Sequence, residues 1–200
     1  MNIWLSLFVS SILNLDNVGA FQILISRPSF VGFIIGSING FVVEGFIIGI
    51  MTELFVYDFV PVGGIPVPNG TIASTIAILL IPYFDGKIFI PFFIGLICGE
   101  GFSYIEVYLR TLKSYFNKIL EKRFMNYKFL VGDIIFYSML IDFLVYLIYG
   151  FLLYLIFSKI SSYLNTNYLN NVFKISMIGT FFIIMSSLFF KFKTQVSKNE

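Results

Sequence analysis

The 200-residue sequence contains no histidine and a single cysteine, Cys98. Without histidine there is no phosphohistidine chemistry, no imidazole metal ligand and no imidazole base. One cysteine excludes an internal disulfide and leaves the redox compartment open. Charge is also scarce. The 13 basic and 11 acidic residues make up 12% of the chain, where a soluble domain carries about 25%. Such a chain cannot cover a water-facing surface. No nucleotide motif, Walker lysine or metal-ligand cluster of usable spacing occurs, so neither a cofactor nor a nucleic-acid partner is expected.

What the chain has in abundance is apolar surface. It is 58% hydrophobic, with 26 Phe and 12 Tyr, and its mean hydropathy is +0.92. These values predict an all-α polytopic integral membrane protein. At about 20 residues per pass, the length allows roughly five to seven membrane segments in one permease domain spanning 1–200. Tyrosines suit the interface between lipid and water. Residues 1–15 are apolar without a basic leader or a small-residue cleavage site, and read as a short first membrane segment closed by Asp16.

The two halves differ in character. Residues 28–50 carry Gly32, Gly36, Gly40, Gly45 and Gly49 at helical spacing, which lets helix backbones approach closely inside a bilayer. Residues 59–84 carry one charge-free run broken by Pro61, Gly63, Gly64, Pro66, Pro68 and Gly70. Each proline removes a backbone donor, and irregular backbone at membrane depth persists only when buried or lining a wet cavity. A broken or re-entrant segment around 59–72, within a site-bearing half at 1–84, is therefore expected.

The second half, 88–190, is more regular. Residues 88–109 are apolar with Glu100 and Glu106 near the end. Residues 110–128 hold Arg110, Lys113, Lys118, Lys122, Arg123 and Lys128, nearly half the chain's basic residues, and read as a cytoplasmic loop helix under the positive-inside rule. A long helix follows over 130–157, with Asp133 at its end near the headgroups and Asp142 within. A polar outer loop is expected at 158–171, and 172–190 return the chain to a cytoplasmic tail with Lys191, Lys193 and Lys198. Cys98 inside an apolar run reads as an inert small hydrophobe.

Carboxylates in a membrane are expensive and tend to mark a substrate path. Glu53 sits between the glycine-rich run and the broken segment, and Glu44 lies nine residues earlier, so both are candidates to face one cavity. The competing reading is a carboxylate that faces water, or a Glu53–Arg27 pair that only joins two helices.

The stretches "LISRPSFVGFIIGSINGFVVEGFIIGIMTELF" (24–55) and "PVGGIPVPNGTIAS" (61–74) resemble the IIC component of the mannose/fructose/sorbose family of the bacterial phosphotransferase system. The matching positions are Arg27, Pro28, Gly45, Gly49, Glu53, Leu54, Val62, Gly63, Gly64, Pro66, Pro68 and Asn69. The resemblance implies a membrane subunit that binds a hexose and carries it across the bacterial inner membrane. It also implies IIA and IIB cytoplasmic partners, IIB phosphorylating the sugar, a IID membrane partner and a homo-oligomer. The IIC subunit itself is not phosphorylated in the relay, in agreement with the missing histidine. On these positions Glu53 and Asn69 are the expected sugar-binding residues, with the amides around Gly63 and Gly64 beside them. Gln22 and Glu44 are secondary candidates, and Arg27 is an orienting or pairing charge. The chain departs from the family pattern in being shorter, in carrying Asn69 for an acidic residue and in reading Gly40-Phe41 for Gly-Asp. An uncoupled permease for another small polar solute and an accessory membrane scaffold stay open as alternatives.

Overall fold

The computed structural model describes residues 2–18, 24–57, 66–124, 131–161 and 166–196, with side chains at 2–16, 24–57, 66–115, 135–161 and 169–190. These residues form seven α-helices and no strand: α1 (Ile3–Val18), α2 (Pro28–Asn39), α3 (Val42–Tyr57), α4 (Gly70–Leu80), α5 (Phe89–Phe124), α6 (Val131–Ile160) and α7 (Thr166–Val196). A 3-10 turn, Ile81–Phe84, closes α4. Among the described residues, three stretches are long and apolar enough to cross a membrane: Phe89–Tyr115, Ile135–Ile160 and Leu169–Phe190. Ile3–Asp16, Pro28–Asn39 and Gly70–Phe84 are apolar but shorter, and at about 1.5 Å per residue none spans a ~30 Å hydrocarbon core as a straight helix.

The glycine-rich run is two helices, where the sequence reads as one. Gly40 adopts φ +82° and caps α2, its N–H bonding Gly36 O. Any other L-residue is strained in that left-handed region, so the chain reverses there and α3 returns along α2. The antiparallel contact is made by backbone. A Cβ built on Gly32 would sit 2.3 Å from Gly45 O, and one on Gly45 would sit 2.5 Å from Gly32 O. One on Gly49 would sit 2.4 Å from Pro28 O. Glycine at every position of this seam is what lets the two helices touch.

Helix α4 is the centre of the molecule. All eleven of its residues are buried, and it packs against α1, α2, α3, α5 and α6. Against α5 it repeats the small-residue device: Cβ atoms on Gly95 and Gly99 would lie 2.3 Å from Ala73 O and 2.7 Å from Asn69 O. Around it, Ile72, Ile76, Leu80, Phe84, Phe102 and Tyr146 form one apolar cluster, and Ile78, Ile81, Ile35, Ile48 and Phe92 another.

The basic stretch from 110 is a continuation of α5, with no loop between it and the membrane segment. The expected outer loop 158–171 shrinks likewise, since α6 runs to Ile160 and α7 begins at Thr166. Across α5 and α6, Lys113 Nζ and Asp142 form an ion pair within hydrogen-bonding contact. Asp142 is thus a helix-to-helix tie. The side chain of Asp133 lies outside the described residues. Most of α7's large apolar side chains, Ile175, Phe182 and Ile183 among them, are exposed, as a helix facing lipid requires.

Candidate functional site

Two polypeptide seams converge on one cavity. On α3 the series Gly45, Gly49, Glu53 places a carboxylate one turn beyond the last close-packing glycine, on the same helix face. On α5 the series Gly95, Gly99, Ser103, Glu106, Arg110 does the same: the face is glycine where α4 is near and turns polar where α4 begins. Between them lies a cavity of about 400 Å³. Its polar lining is Ser26, Arg27, Glu53, Tyr57, Thr71, Ser103, Glu106 and Arg110, and its apolar lining includes Leu24, Pro28, Pro66, Pro68 and Val107. That volume is within the ~300–1,000 Å³ typical of small-molecule sites.

Glu53 is held by both its oxygens. Arg27 Nη1 donates to Oε1 at 2.8 Å and the Ser29 N–H donates to Oε2 at 3.3 Å. Ser29 follows Pro28 in the first turn of α2, so its N–H is one of the unmatched helix-start donors, and Glu53 satisfies it across the hairpin. The pair is half open to the cavity, with side-chain exposures of 45% for Arg27 and 25% for Glu53, which leaves room on the carboxylate for a further donor.

Asn69 does a different job from the one its sequence position implies. Its side chain caps α4, Oδ1 accepting from the Ile72 N–H at 3.1 Å. Its Nδ2 donates to Asn14 Oδ1 at 2.9 Å and to Glu106 Oε1 at 2.6 Å. An amide has two N–H donors, and both are engaged inside the protein. Asn69 is absent from the cavity wall; it fixes Glu106, which is on it. The backbone secures the arrangement, as the Asn69 N–H donates to Gly99 O at 3.0 Å.

Glu106, the second carboxylate on the cavity wall, is not among the candidates that the sequence singles out. The signal was present: an acidic residue in an apolar helix, three after Ser103 and four before Arg110, on the glycine-bearing face. Glu44 stands at the first turn of α3, about 13 Å from Glu53 along the axis, and it lies away from this cavity. The expected sharing of one cavity by Glu44 and Glu53 is therefore not what the fold builds. Gln22, Gly63 and Gly64 lie outside the described residues, as does most of the proline-glycine loop. Its last part, 66–69, is non-helical, and α4 starts at Gly70.

The charges on the cavity wall balance: Arg27 and Arg110 against Glu53 and Glu106. The start of α4 reaches the cavity through Gly70 and Thr71, where the Thr71 hydroxyl donates to Ser26 O at 3.0 Å. Hydroxyls and charged groups of both signs around a neutral cavity suit an uncharged ligand rich in hydroxyls. No group of three or more potential metal ligands occurs among the described residues. The chain matches the family model described as the PTS system sorbose-specific IIC component over residues 1–185. Neither a curated protein nor a solved structure matches it.

Proposed function

The chain belongs to the family of sorbose-specific IIC components of the sugar phosphotransferase system, and we propose that its central cavity binds a hexose on the way across the membrane. It is accordingly a multi-pass membrane subunit of a sugar permease. The observation that carries the binding reading is the charge-balanced cavity between the α2–α3 hairpin, the start of α4 and the glycine-to-polar face of α5. Glu53 and Glu106 accept sugar hydroxyls, Thr71 and Ser103 offer hydroxyls of their own, and Arg27 and Arg110 donate. Tyr57 supplies an aromatic wall. Asn69 acts through Glu106 as a positioning residue.

In the same reading the sugar is phosphorylated by a IIB partner supplied by IIA, and a IID subunit completes the membrane unit, itself a homo-oligomer. The basic continuation of α5 and the C-terminus face the cytoplasm of a bacterial cell, because Lys and Arg concentrate there. Equilibrium binding of mannose, fructose and sorbose to the purified full chain in detergent tests the site. Saturable binding of one of these neutral sugars, with gluconate and glucosamine excluded, is the expected result. Preference for the charged analogues, or no saturable binding of any of the five, refutes it.

A further inference from the structure

Beyond the cavity, the interior carries a series of polar side chains that joins the site at Asn69 and Glu106 and otherwise has no part in the sugar-binding role described above. On α1, Ser6, Ser10 and Asn14 recur every fourth residue, so they occupy one face at steps of about 6 Å. All three are buried, as are Asn69 capping α4, Thr75 on α4 and Tyr146 on α6. Each α1 residue meets a polar group on another helix. Asn14 takes the Asn69 amide, which continues to Glu106 on the cavity wall. Ser10 and Thr75 flank the Tyr146 hydroxyl, which donates to Thr75 Oγ1 at 3.5 Å. Ser6 Oγ accepts from Asn39 Nδ2 at 2.7 Å, at the C-terminal end of α2 beside the hairpin turn. The three rungs lead from the cavity to the opposite end of the hairpin.

Two further features set this series apart from ordinary packing of small residues. The hydroxyls donate within their own helices: Ser6 to Asn2 O, Ser10 to Leu7 O and Thr75 to Thr71 O. These three hydroxyls therefore keep their own donor bonds when a rung parts, and each still offers lone pairs to an incoming group; the donors released are the Tyr146 hydroxyl and the Asn39 and Asn69 amides. At the far rung, Asn39 Oδ1 is enclosed and has no hydrogen-bond partner, an unmet acceptor of the kind that buried sites seldom leave idle.

We propose that the rungs Asn14–Asn69–Glu106, Ser10–Tyr146–Thr75 and Ser6–Asn39 are the closed half of the sugar path, continuing from the cavity between α1 and α4. The inference rests on the hexose reading of the cavity. In the conformation described here the path is shut. When α1 and α4 separate, sugar hydroxyls replace the cross-helix bonds rung by rung, and the Asn39 oxygen accepts one at the end. The rival assignment is a permanent polar seam that only holds α1 in place.

Single-cysteine variants in a Cys98→Ala chain separate the two, in native membranes with the partner subunits present. The probe is a small hydrophilic methanethiosulfonate reagent, with the sugar chosen from mannose, fructose and sorbose. Ser103→Cys on the cavity wall reports the site itself, and sugar should slow its modification. Ser10→Cys reports the path. A state populated at roughly 0.1–10% at rest that becomes frequent during transport should speed its modification about tenfold or more when sugar is supplied, and modification should abolish uptake. Ser10→Cys that stays inert, reacts independently of sugar, or reacts without loss of uptake overturns the path, even with Ser103→Cys protected. An unprotected Ser103→Cys instead overturns the cavity reading on which the path rests. If Ser10→Cys does not accumulate in the membrane, Thr75→Cys is read by the same criteria.

Discussion

Replacing Gly95 by alanine tests whether the small-residue seam between α4 and α5 builds the site. The added Cβ would lie 2.3 Å from Ala73 O and 2.9 Å from Ala77 Cβ. The nearer obstacle is backbone of a fully buried helix, so it cannot rotate aside, and the helices must move apart by about 1 Å to restore ordinary contact. Overpacking of this kind costs about 1–3 kcal/mol. The same displacement strains the Asn69 N–H to Gly99 O bond and the Asn69–Glu106 bond, together about 1–3 kcal/mol if partly lost. A combined loss of about 2–6 kcal/mol lowers the unfolding midpoint of a chain this size by roughly 4–24 °C. Cys98 is the sole cysteine and is buried, so a thiol-reactive fluorescent dye reads the transition directly. Gly179→Ala is the control, since its Cβ would meet nothing within 4 Å. A Gly95→Ala midpoint indistinguishable from that control refutes the packing argument.

Gly70→Ala places a Cβ 2.3 Å from Pro28 Cγ and wedges α4 from the hairpin. It should weaken sugar binding more than it lowers the melting midpoint, measured side by side by equilibrium binding and dye-reported unfolding. Lys113→Met leaves the buried Asp142 unpaired, a loss on the order of 3 kcal/mol. Lys113→Met with Asp142→Asn should recover most of it, and a double variant no more stable than the single one denies the pairing its structural role. For orientation, Lys118→Cys in a Cys98→Ala chain should react with an impermeant thiol reagent only from the cytoplasmic face. Labelling solely from outside reverses the topology.

The membrane class was readable from scarcity of charge, and the hairpin's seam from glycines four or five apart. The reversal at Gly40 was not, because glycine spacing describes a helix face equally well whether the chain continues or turns back, and only the left-handed φ decides. Glu53 and Arg27 were legible as a pair from their chemistry and their places on either side of the glycine run. In the sequence Asn69 reads as a ligand-facing amide, whereas the fold commits both of its N–H donors and one acceptor site of its oxygen at the start of α4. What redirected it is tertiary: Asn14 is 55 residues away and Glu106 is 37, and no local pattern announces that three helices meet there. The α5 face from Gly95 to Arg110 is the sequence signal that points to Glu106. The basic stretch was legible as charge but not as one helix with the span before it, since a change of composition does not break a backbone.

The proposed site stands on the two carboxylates at the ends of the two glycine seams, which bind the sugar. Glu106→Gln and Glu53→Gln keep size and shape and remove charge. A carboxylate hydrogen bond contributes about 1.5–3 kcal/mol, so each substitution should weaken sugar binding by roughly one to two orders of magnitude. Equilibrium binding to the purified chain, with dye-reported unfolding on the same samples, is the decisive measurement. Lost affinity with an unchanged midpoint in both variants is the expected result. Wild-type affinity with a lowered midpoint would reduce Glu53 to a helix tie with Arg27, reduce Glu106 to a partner of Asn69, and contradict the site.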